Sequence, residues 1–222
     1  MVAQTYGMIS HIDDCIGKIM RFLETSGLAQ STVVVFTSDH GEYLGAHHLL
    51  HKAEWPFEEL LRVPLIVKDP QASQANISQS VVSHLDLVPT ILDYAGVEQS
   101  ALDGRGVRHS DWEGLPGRSL RRLIRDGQTI AKRPALMEYD DDWWAGPVFR
   151  TRCLIEGRYK IVMISAPGGG GLLYDLQTDP REEKNLWDAP EYVRVKSELT
   201  EKLVFEIMRT DRLQDQRRMV GA

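Results

Sequence analysis

A short apolar run without alternation is the feature that most constrains the fold of this chain. Val33–Phe36 contains no polar residue, so it predicts a strand covered on both faces, as in a parallel sheet. A second apolar run, Val63–Val67, contains Pro64, which favours an edge position or the start of a strand. Because 42% of the 222 residues are hydrophobic, the chain can bury such runs in a core.

Helical patterns flank the two apolar runs. Between Met8 and Leu23, apolar residues recur at three- and four-residue spacing, and Gly27 follows where a helix C-cap is expected. A shorter helix is predicted over Leu85–Tyr94, with Ser83 or Asp86 available as its N-cap. The first hundred residues therefore alternate helix, strand, loop, strand and helix, which is an α/β layer pattern.

The pattern changes from about Leu136 onward, where short strand-like runs are separated by turn residues. Glu156-Gly157-Arg158 predicts a hairpin turn, and an amphipathic helix follows from about Glu191 to Met208. We therefore expect an α/β domain over residues 1–135 that carries the functional residues, and a small C-terminal subdomain over 136–222 with an antiparallel sheet and one helix. Its predicted strands are Val148–Ile155, Tyr159–Ile164 and Leu172–Leu176.

Composition excludes several classes of partner. The net charge of -6 argues against general binding to nucleic acid or anionic membranes, because both require a basic surface. No stretch approaches the roughly 18 apolar residues of a membrane span, and the first residues lack the features of an export signal. The location is left open, with the cytoplasm as the default. Cys15 and Cys153 share no metal-type spacing and are interpreted as reduced core thiols.

A cluster of polar residues, Thr37–Lys52, begins where the first predicted strand ends. Ligands of open α/β sheets bind outside the carboxyl ends of the strands, where Asp39 and His40 would lie. Their oxygen and nitrogen donors can both reach one divalent cation. The Lys52 ammonium would then complete a clamp for a tetrahedral oxyanion, such as a sulfate or phosphate ester. The alternative is that Asp39 only caps the following segment and His40 packs locally.

The remaining polar residues of the cluster have weaker interpretations. His47, His48 and His51 are candidates for protonating a leaving group or contacting substrate, because imidazole titrates near neutral pH. The alternative is a polar loop with solvent-accessible histidines. Glu42 is expected to support the metal ligands or to cap a helix turn, and Gly41 to permit a sharp turn.

Several segments of the chain together resemble the sulfatase family of the alkaline phosphatase superfamily, which includes phosphonate monoester hydrolases and choline-sulfatase-like enzymes. They occur in the family's order and cover most of the chain, and their combination is specific although each alone is weak. The resemblance implies a partial alkaline-phosphatase-like sheet with flanking helices in the α/β part. The segments are YGMISHIDDCIGKI, VVVFTSDHGEYLGAHHLLHK, LLRVPLIV, HLDLVPTILDYAGV, GRSL and LLYDLQTDPREEKNL.

The resemblance also implies a site and a substrate class. Asp39 and His40 correspond to metal ligands and Lys52 to the residue that binds the sulfate or phosphate group. The cation is expected to be Ca²⁺, with Mn²⁺ or Zn²⁺ as alternatives. Many sulfatases have Asn at the position of His40, whereas Asp-His-Gly resembles the phosphonate hydrolase, choline sulfatase and iduronate-sulfatase-like branches. The implied reaction is hydrolysis of a small-molecule or carbohydrate sulfate, phosphonate or phosphate ester.

The family's nucleophile is missing from the sequence. It is a formylglycine made from Cys or Ser in a C-x-P-S-R-like motif, and neither Cys15 nor Cys153 lies in such a motif. The chain thus looks like the C-terminal half of a sulfatase, and we expect no normal turnover from it alone. The alternative is a non-catalytic truncated module that folds or oligomerises without turnover. In either case, central strands would be missing from the sheet, and its edge would be exposed unless a partner chain or an identical subunit covers it. A metal-dependent phosphatase or mutase of the superfamily fits the terminal LYDLQTDPREEKNL motif less well.

One further segment has two interpretations. Trp143 and Trp144, beside Asp140–Asp142, would either line a pocket for a cationic or sugar group through their ring faces or anchor an ordinary loop. Residues 98–117, rich in Gly, Asp and Arg, predict a surface loop or insertion.

Overall fold

The computed structural model describes residues 1–52, 54–97, 117–128, 130, 132–141, 149–165 and 169–218. The predicted loop at 98–117, except for its last residue, and the pair Trp143 and Trp144 lie outside these ranges. Within them, five α-helices and six strands are present. In chain order they are α1 (Val2–Thr25), β1 (Val34–Thr37), α2 (Glu58–Leu61), β2 (Leu65–Lys68), α3 (Leu87–Tyr94), α4 (Arg121–Asp126), β3 (Ala135–Asp141), β4 (Phe149–Glu156), β5 (Tyr159–Ser165), β6 (Gly170–Asp175) and α5 (Val193–Arg218).

The chain divides into two compact units. One comprises Met1–Ala53, Phe57–Asn76 and Ile124–Gly127, and the other Glu54–Pro56, Ile77–Leu123 and Gln128–Ala222. The first unit therefore contains α1, β1, α2 and β2, and the second contains α3, β3 to β6 and α5. The sequence-based division into residues 1–135 and 136–222 stays a prediction.

Helix α1 confirms the prediction from apolar spacing and begins earlier, at Val2. It ends at Thr25, and Gly27 takes a φ of 74°, the left-handed conformation expected after a helix. None of its residues is buried by the part of the chain that the structure describes. Its apolar stripe stays exposed, with Phe22 at 62%, and Cys15 is only half-buried. The prediction that Cys15 is a core thiol is therefore wrong in this structure, whereas Cys153 is buried as predicted.

Strands β1 and β2 pair with each other, but in the antiparallel direction. The register joins Val34 to Lys68 and Thr37 to Leu65. The prediction of a parallel, doubly covered strand is therefore wrong for this pair, and Val35 and Ile66 remain exposed. The physical reason is that an unbroken apolar run shows only that both faces of a strand can be buried. It carries no information on whether the neighbouring strand runs parallel or antiparallel.

The second unit contains a four-stranded antiparallel sheet in the order β3-β4-β5-β6. The predicted hairpin between β4 and β5 is confirmed, and Gly157 adopts a φ of 59° at its turn. Sequence reasoning missed β3, because its acidic C-terminal end interrupts the apolar pattern. The fold class is therefore confirmed as mixed α and β, with a C-terminal antiparallel sheet and a helix packed on it.

The core of this unit lies between the sheet and α5. Alternate residues of a strand point to the same face of the sheet, and residues four apart on a helix lie on the same helix face. The apolar side chains of the two faces therefore form one layer. Each fully buried Leu or Ile in such a layer contributes roughly 1.5–3 kcal/mol relative to an exposed position. The buried members are Leu154, Ile161, Leu173, Leu186, Leu199 and Leu203.

A buried ion pair lies in the same unit. The Lys160 ammonium and the Glu182 carboxylate, both fully buried side chains, are 2.8 Å apart. Lys160 also donates to the carbonyl oxygen of Pro56 at 3.0 Å. Burial first, and then the charges of Glu182 and Asp179, raise the pKa of the Tyr174 phenol to about 12. Tyr174 therefore stays neutral beside these carboxylates at any physiological pH.

Candidate functional site

Asp39 and His40 follow β1 directly, as the sequence predicts. Oδ2 of Asp39 lies 3.6 Å from Nε2 of His40, and the Asp39 side chain is 85% exposed. Two ligand atoms that each bind one cation at about 2.0–2.5 Å can lie at such a separation. The structure thus brings these two predicted ligands together with their donor atoms accessible.

The hydrogen bonds of His40 select the ring nitrogen that can bind a metal. Nδ1 lies 2.8 Å from the carbonyl oxygen of Gly41. A carbonyl oxygen only accepts, so Nδ1 must carry the proton and donate it. In the neutral ring, Nε2 then keeps its lone pair on the side of Asp39. Metal-binding histidines commonly have this arrangement, in which a backbone carbonyl fixes the tautomer.

The Asp39 carboxylate is held in its charged form. The backbone N–H of His40 donates to Oδ1 at 2.9 Å, and this hydrogen bond is the largest cause that lowers the pKa of Asp39. Electrostatic interaction with the His40 side chain is the next cause that lowers the pKa of Asp39. Ser38 adds a longer hydrogen bond to the same oxygen, at 3.4 Å. A divalent cation requires an ionised carboxylate, so these donors favour its binding.

Gly41 positions the next part of the loop, but by a different means from the predicted sharp turn. Its N–H donates to the carbonyl oxygen of Leu60 at 2.8 Å. A Cβ atom at this position would stand 1.9 Å from the carbonyl oxygen of Glu59, which is an impossible contact. Gly41 does not have a positive φ. The glycine is therefore needed for the close approach of two backbone segments, and it fixes the loop against α2.

The loop folds back on itself before Lys52. The N–H of Tyr43 donates to the carbonyl oxygen of His51 at 3.1 Å, and that of Gly45 donates to Leu49 at 2.9 Å. Lys52 thereby returns towards the part of the chain that follows Asp39. Its side chain is exposed and makes no ion pair or hydrogen bond with any residue that the structure describes. The ammonium is therefore available to an anion.

The backbone of this loop is strained. Among the described residues, five other than glycine have a positive φ, and four of them lie here: Leu44, His47, His48 and His51. Non-glycine residues adopt this conformation at a cost of roughly 1–3 kcal/mol each, and such residues cluster at functional sites. His48 and His51 are exposed, which leaves their rings accessible to a ligand. Their predicted contribution to catalysis stays a prediction.

His47 differs from the other two histidines because its ring is engaged. It stacks on Phe57 with ring centroids 3.6 Å apart, and its Nε2 lies 3.6 Å from Oε2 of Glu59. Phe57 also makes an edge contact with the buried Tyr43. This small aromatic cluster was not visible in the sequence, because the segment between His47 and Phe57 has no periodicity that would predict their contact. It gives His47 a packing role in this unit.

Glu42 provides a test of whether a cation fits the loop. One of its carboxylate oxygens, Oε1, is buried and has no hydrogen-bond partner among the described residues. A buried polar atom without a partner is costly, so it indicates a bound water, donor or ion. The donor set of Asp39 and His40, with this buried oxygen on the same short segment, fits a divalent cation. The structure does not show Glu42 capping a helix turn.

Comparison with known proteins finds similarity to sulfatases and related hydrolases. The sulfatase family model matches residues 1–97. The multifunctional alkaline phosphatase superfamily protein PehA of Trinickia caryophylli is 33% identical over 222 residues, covering 96% of this chain and 41% of that protein. Over these residues the chain is similar to the sulfatase family. Residues 1–97, which match the family model, include the three predicted site residues Asp39, His40 and Lys52.

Two further relatives support the sulfatase assignment. N-acetylglucosamine-6-O-sulfatase of Bacteroides thetaiotaomicron is 31% identical over 196 residues, covering 86% of this chain and 33% of that protein. The crystal structure of the phosphonate monoester hydrolase of Agrobacterium radiobacter superposes with a TM-score of 0.76 at 27% identity, covering 92% of this chain and 40% of that one. The chain spans about 41% of the length of PehA, and smaller shares of the other two relatives. No helix in the described ranges has the length and apolarity to cross a membrane.

Proposed function

We propose that Asp39, His40 and Lys52 form the metal- and oxyanion-binding part of an active site that hydrolyses sulfate, phosphonate or phosphate esters. The observation that carries the proposal is the pair of donor atoms, Asp39 Oδ2 and His40 Nε2, 3.6 Å apart at the end of β1. The tautomer of His40 and the ionised state of Asp39 suit both side chains to a divalent cation. Ca²⁺ is the proposed ion, with Mn²⁺ or Zn²⁺ as alternatives.

Each residue has a defined task in this proposal. A cation bound at Asp39 and His40 would supply positive charge where negative charge develops on the ester oxygens. The exposed Lys52 ammonium binds the same sulfate or phosphate group and holds it in a fixed orientation. His48 or His51 donates a proton to the departing alcohol, since both rings are accessible and an imidazole can transfer a proton near neutral pH.

The proposed substrates are monoesters of small molecules or carbohydrates. Two relatives support this class, since one is described as an N-acetylglucosamine-6-O-sulfatase and another as a phosphonate monoester hydrolase. The Asp-His-Gly sequence at residues 39–41 also resembles the phosphonate hydrolase and choline sulfatase branches. The proposal therefore includes both sulfate and phosphonate or phosphate esters.

The proposed site requires a nucleophile that the 222 residues do not contain. No C-x-P-S-R or S-x-P-S-R motif is present, so no formylglycine can form in the usual context. We expect the polypeptide alone to bind the cation without normal turnover. Efficient hydrolysis of an aryl sulfate by the purified 222-residue chain would contradict this expectation.

The second candidate function is a non-catalytic module that folds or assembles without turnover. The exposed apolar stripe of α1 favours it, because an apolar helix face of this kind is normally covered by another surface. The two candidates differ in metal binding. A module that only assembles has no need for a cation at Asp39 and His40, whereas the hydrolase requires one.

The test is a calorimetric titration of the purified chain with Ca²⁺ and with Mn²⁺. The Asp39→Ala variant should lose at least tenfold in affinity, because it removes the only charged oxygen of the ligand pair. The matched control is Asp13→Ala, which removes an equally negative side chain from an exposed position of α1. Equal affinities of the wild type and Asp39→Ala would refute the proposed metal site.

A further inference from the structure

A second cluster of charged side chains lines a cleft in the second unit. One wall of the cleft is the segment that leads into the 3₁₀ turn His84–Asp86, and another is the start of β3. A third wall comes from α5. The charged residues of the lining are Asp86, Arg118, Arg133, Glu206 and Arg209.

The carboxylate of Asp86 is occupied by backbone donors. Its Oδ2 accepts the N–H of Ser83 at 3.0 Å, and its Oδ1 accepts the N–H of Arg118 at 2.8 Å. The Arg118 side chain donates through Nη2 to the carbonyl oxygen of Val81 at 3.1 Å. The buried Asp86 therefore ties the Arg118 segment to the helix start, and this fixes the Arg118 backbone at the edge of the cleft.

The carboxylate of Glu206 is likewise engaged. Two guanidinium nitrogens of Arg209, Nε and Nη2, lie 2.9 and 2.6 Å from its Oε2. This pair is one turn apart on α5 and half-buried. The two carboxylates of the cleft are thus each bound to a nearby donor, in one case to backbone N–H groups and in the other to an arginine.

Arg133 is a guanidinium of the cleft that forms no ion pair with Asp86 or Glu206. It lies directly before the segment that enters β3, and it makes no hydrogen bond or ion pair with any residue within the described ranges. Burial lowers the pKa of the Arg118 guanidinium, Asp86 raises it, and the positive charge of Arg133 lowers it again. Both guanidinium groups line the same cleft, where their like charges repel each other.

The cleft thus holds three guanidinium groups and two carboxylates, and both carboxylates already have partners. A guanidinium presents a planar fork of N–H donors that matches the oxygens of phosphate or sulfate. An anion between the two arginines would replace their repulsion by two attractive contacts. We propose that a small tetrahedral oxyanion, sulfate or phosphate, binds in this cleft between Arg118 and Arg133, either as a free ion or as the charged group of an ester. This site is independent of the proposed hydrolase site.

The test is a calorimetric titration with inorganic phosphate in a Lys52→Ala background, which removes the proposed oxyanion contact of the other site. Arg133→Gln should weaken phosphate binding at least tenfold, because it removes a charge-assisted contact with the anion. The matched control is Lys132→Gln, which removes the neighbouring exposed charge outside the cleft and should change affinity less than twofold. The far-ultraviolet circular dichroism of both variants should match that of the parent.

Three results would overturn the proposal: no detectable phosphate binding by the Lys52→Ala protein, unchanged binding in Arg133→Gln, or equal weakening by both substitutions. Equal weakening would mean that phosphate binding depends on the net charge of the protein and not on a contact with Arg133. Repeating the titration with phenyl phosphate distinguishes the source of the oxyanion. Tighter binding of the ester than of inorganic phosphate supports an ester group as the natural ligand, and the opposite order supports a free ion. Because the parent already lacks Lys52, failure here leaves the proposed hydrolase function unaffected.

Discussion

The N-terminal helix and the C-terminal helix have similar lengths but very different surroundings. α1 spans 24 residues, and the described part of the chain buries none of them, whereas α5 buries Leu199 and Leu203 against the antiparallel sheet. Both helices carry an apolar stripe. Amphipathic spacing therefore determines which face of a helix can be buried. The other elements of the chain determine whether that face is covered.

The candidate site lies in the unit with the less complete core. Asp39 and Lys52 are exposed, and the loop between them depends on a few local anchors, namely the Gly41 approach to α2 and the Tyr43–Phe57 contact. The sheet of β3 to β6 instead has a continuous apolar layer. A cation at Asp39 and His40 would therefore stabilise the region that needs it most, because any ligand that binds only the folded state stabilises that state.

The largest expected difference in the free energy of unfolding is between substitutions of two lysines, one in each unit. Lys160→Met should lower the free energy of unfolding by about 3–5 kcal/mol, because it leaves the buried Glu182 carboxylate without its cation. Lys52→Ala should change it by less than about 0.5 kcal/mol, because Lys52 is exposed. Urea unfolding followed by circular dichroism measures both. Similar effects of the two substitutions would break the contrast between the regions.

Within the first unit, substitutions of two glycines should have smaller effects on stability, and these effects should be of opposite sign. Gly41→Ala should destabilise the protein by about 1–3 kcal/mol, because the new methyl group would collide with the Glu59 carbonyl. Gly7→Ala should stabilise α1 by about 0.5–1 kcal/mol, because Gly7 is helical and a Cβ there would meet open space. Thermal unfolding measures both changes. A neutral Gly41→Ala would show that the close backbone contact does not hold the loop.

Much of the local structure could be predicted from the sequence wherever a single local pattern, such as helical spacing, a capping residue or a turn glycine, determines it. The helical spacing in α1, the caps Ser83 and Asp86, and the turn at Gly157 were all visible as patterns and are present in the structure. The adjacent donors Asp39 and His40 were also visible, because they follow directly from a predicted strand.

The remaining features depend on contacts between residues far apart in the sequence. The direction of β2 relative to β1 and the exposure of α1 depend on which elements are available as neighbours, and apolar spacing does not contain this information. The stacking of His47 on Phe57 is likewise a result of how the loop folds back. Only the structure could separate His47, which is packed, from the exposed His48 and His51.

The most direct test of the central claim is amide hydrogen exchange, followed by mass spectrometry, with and without saturating Ca²⁺. If Asp39 and His40 bind the cation, exchange in residues 38–52 should slow on addition of Ca²⁺, because the ion restricts local opening of that loop. Exchange in β4 and β5 should stay unchanged, since their core is already complete. Unchanged exchange in residues 38–52, or equal slowing in both regions, would contradict a metal site at the end of β1.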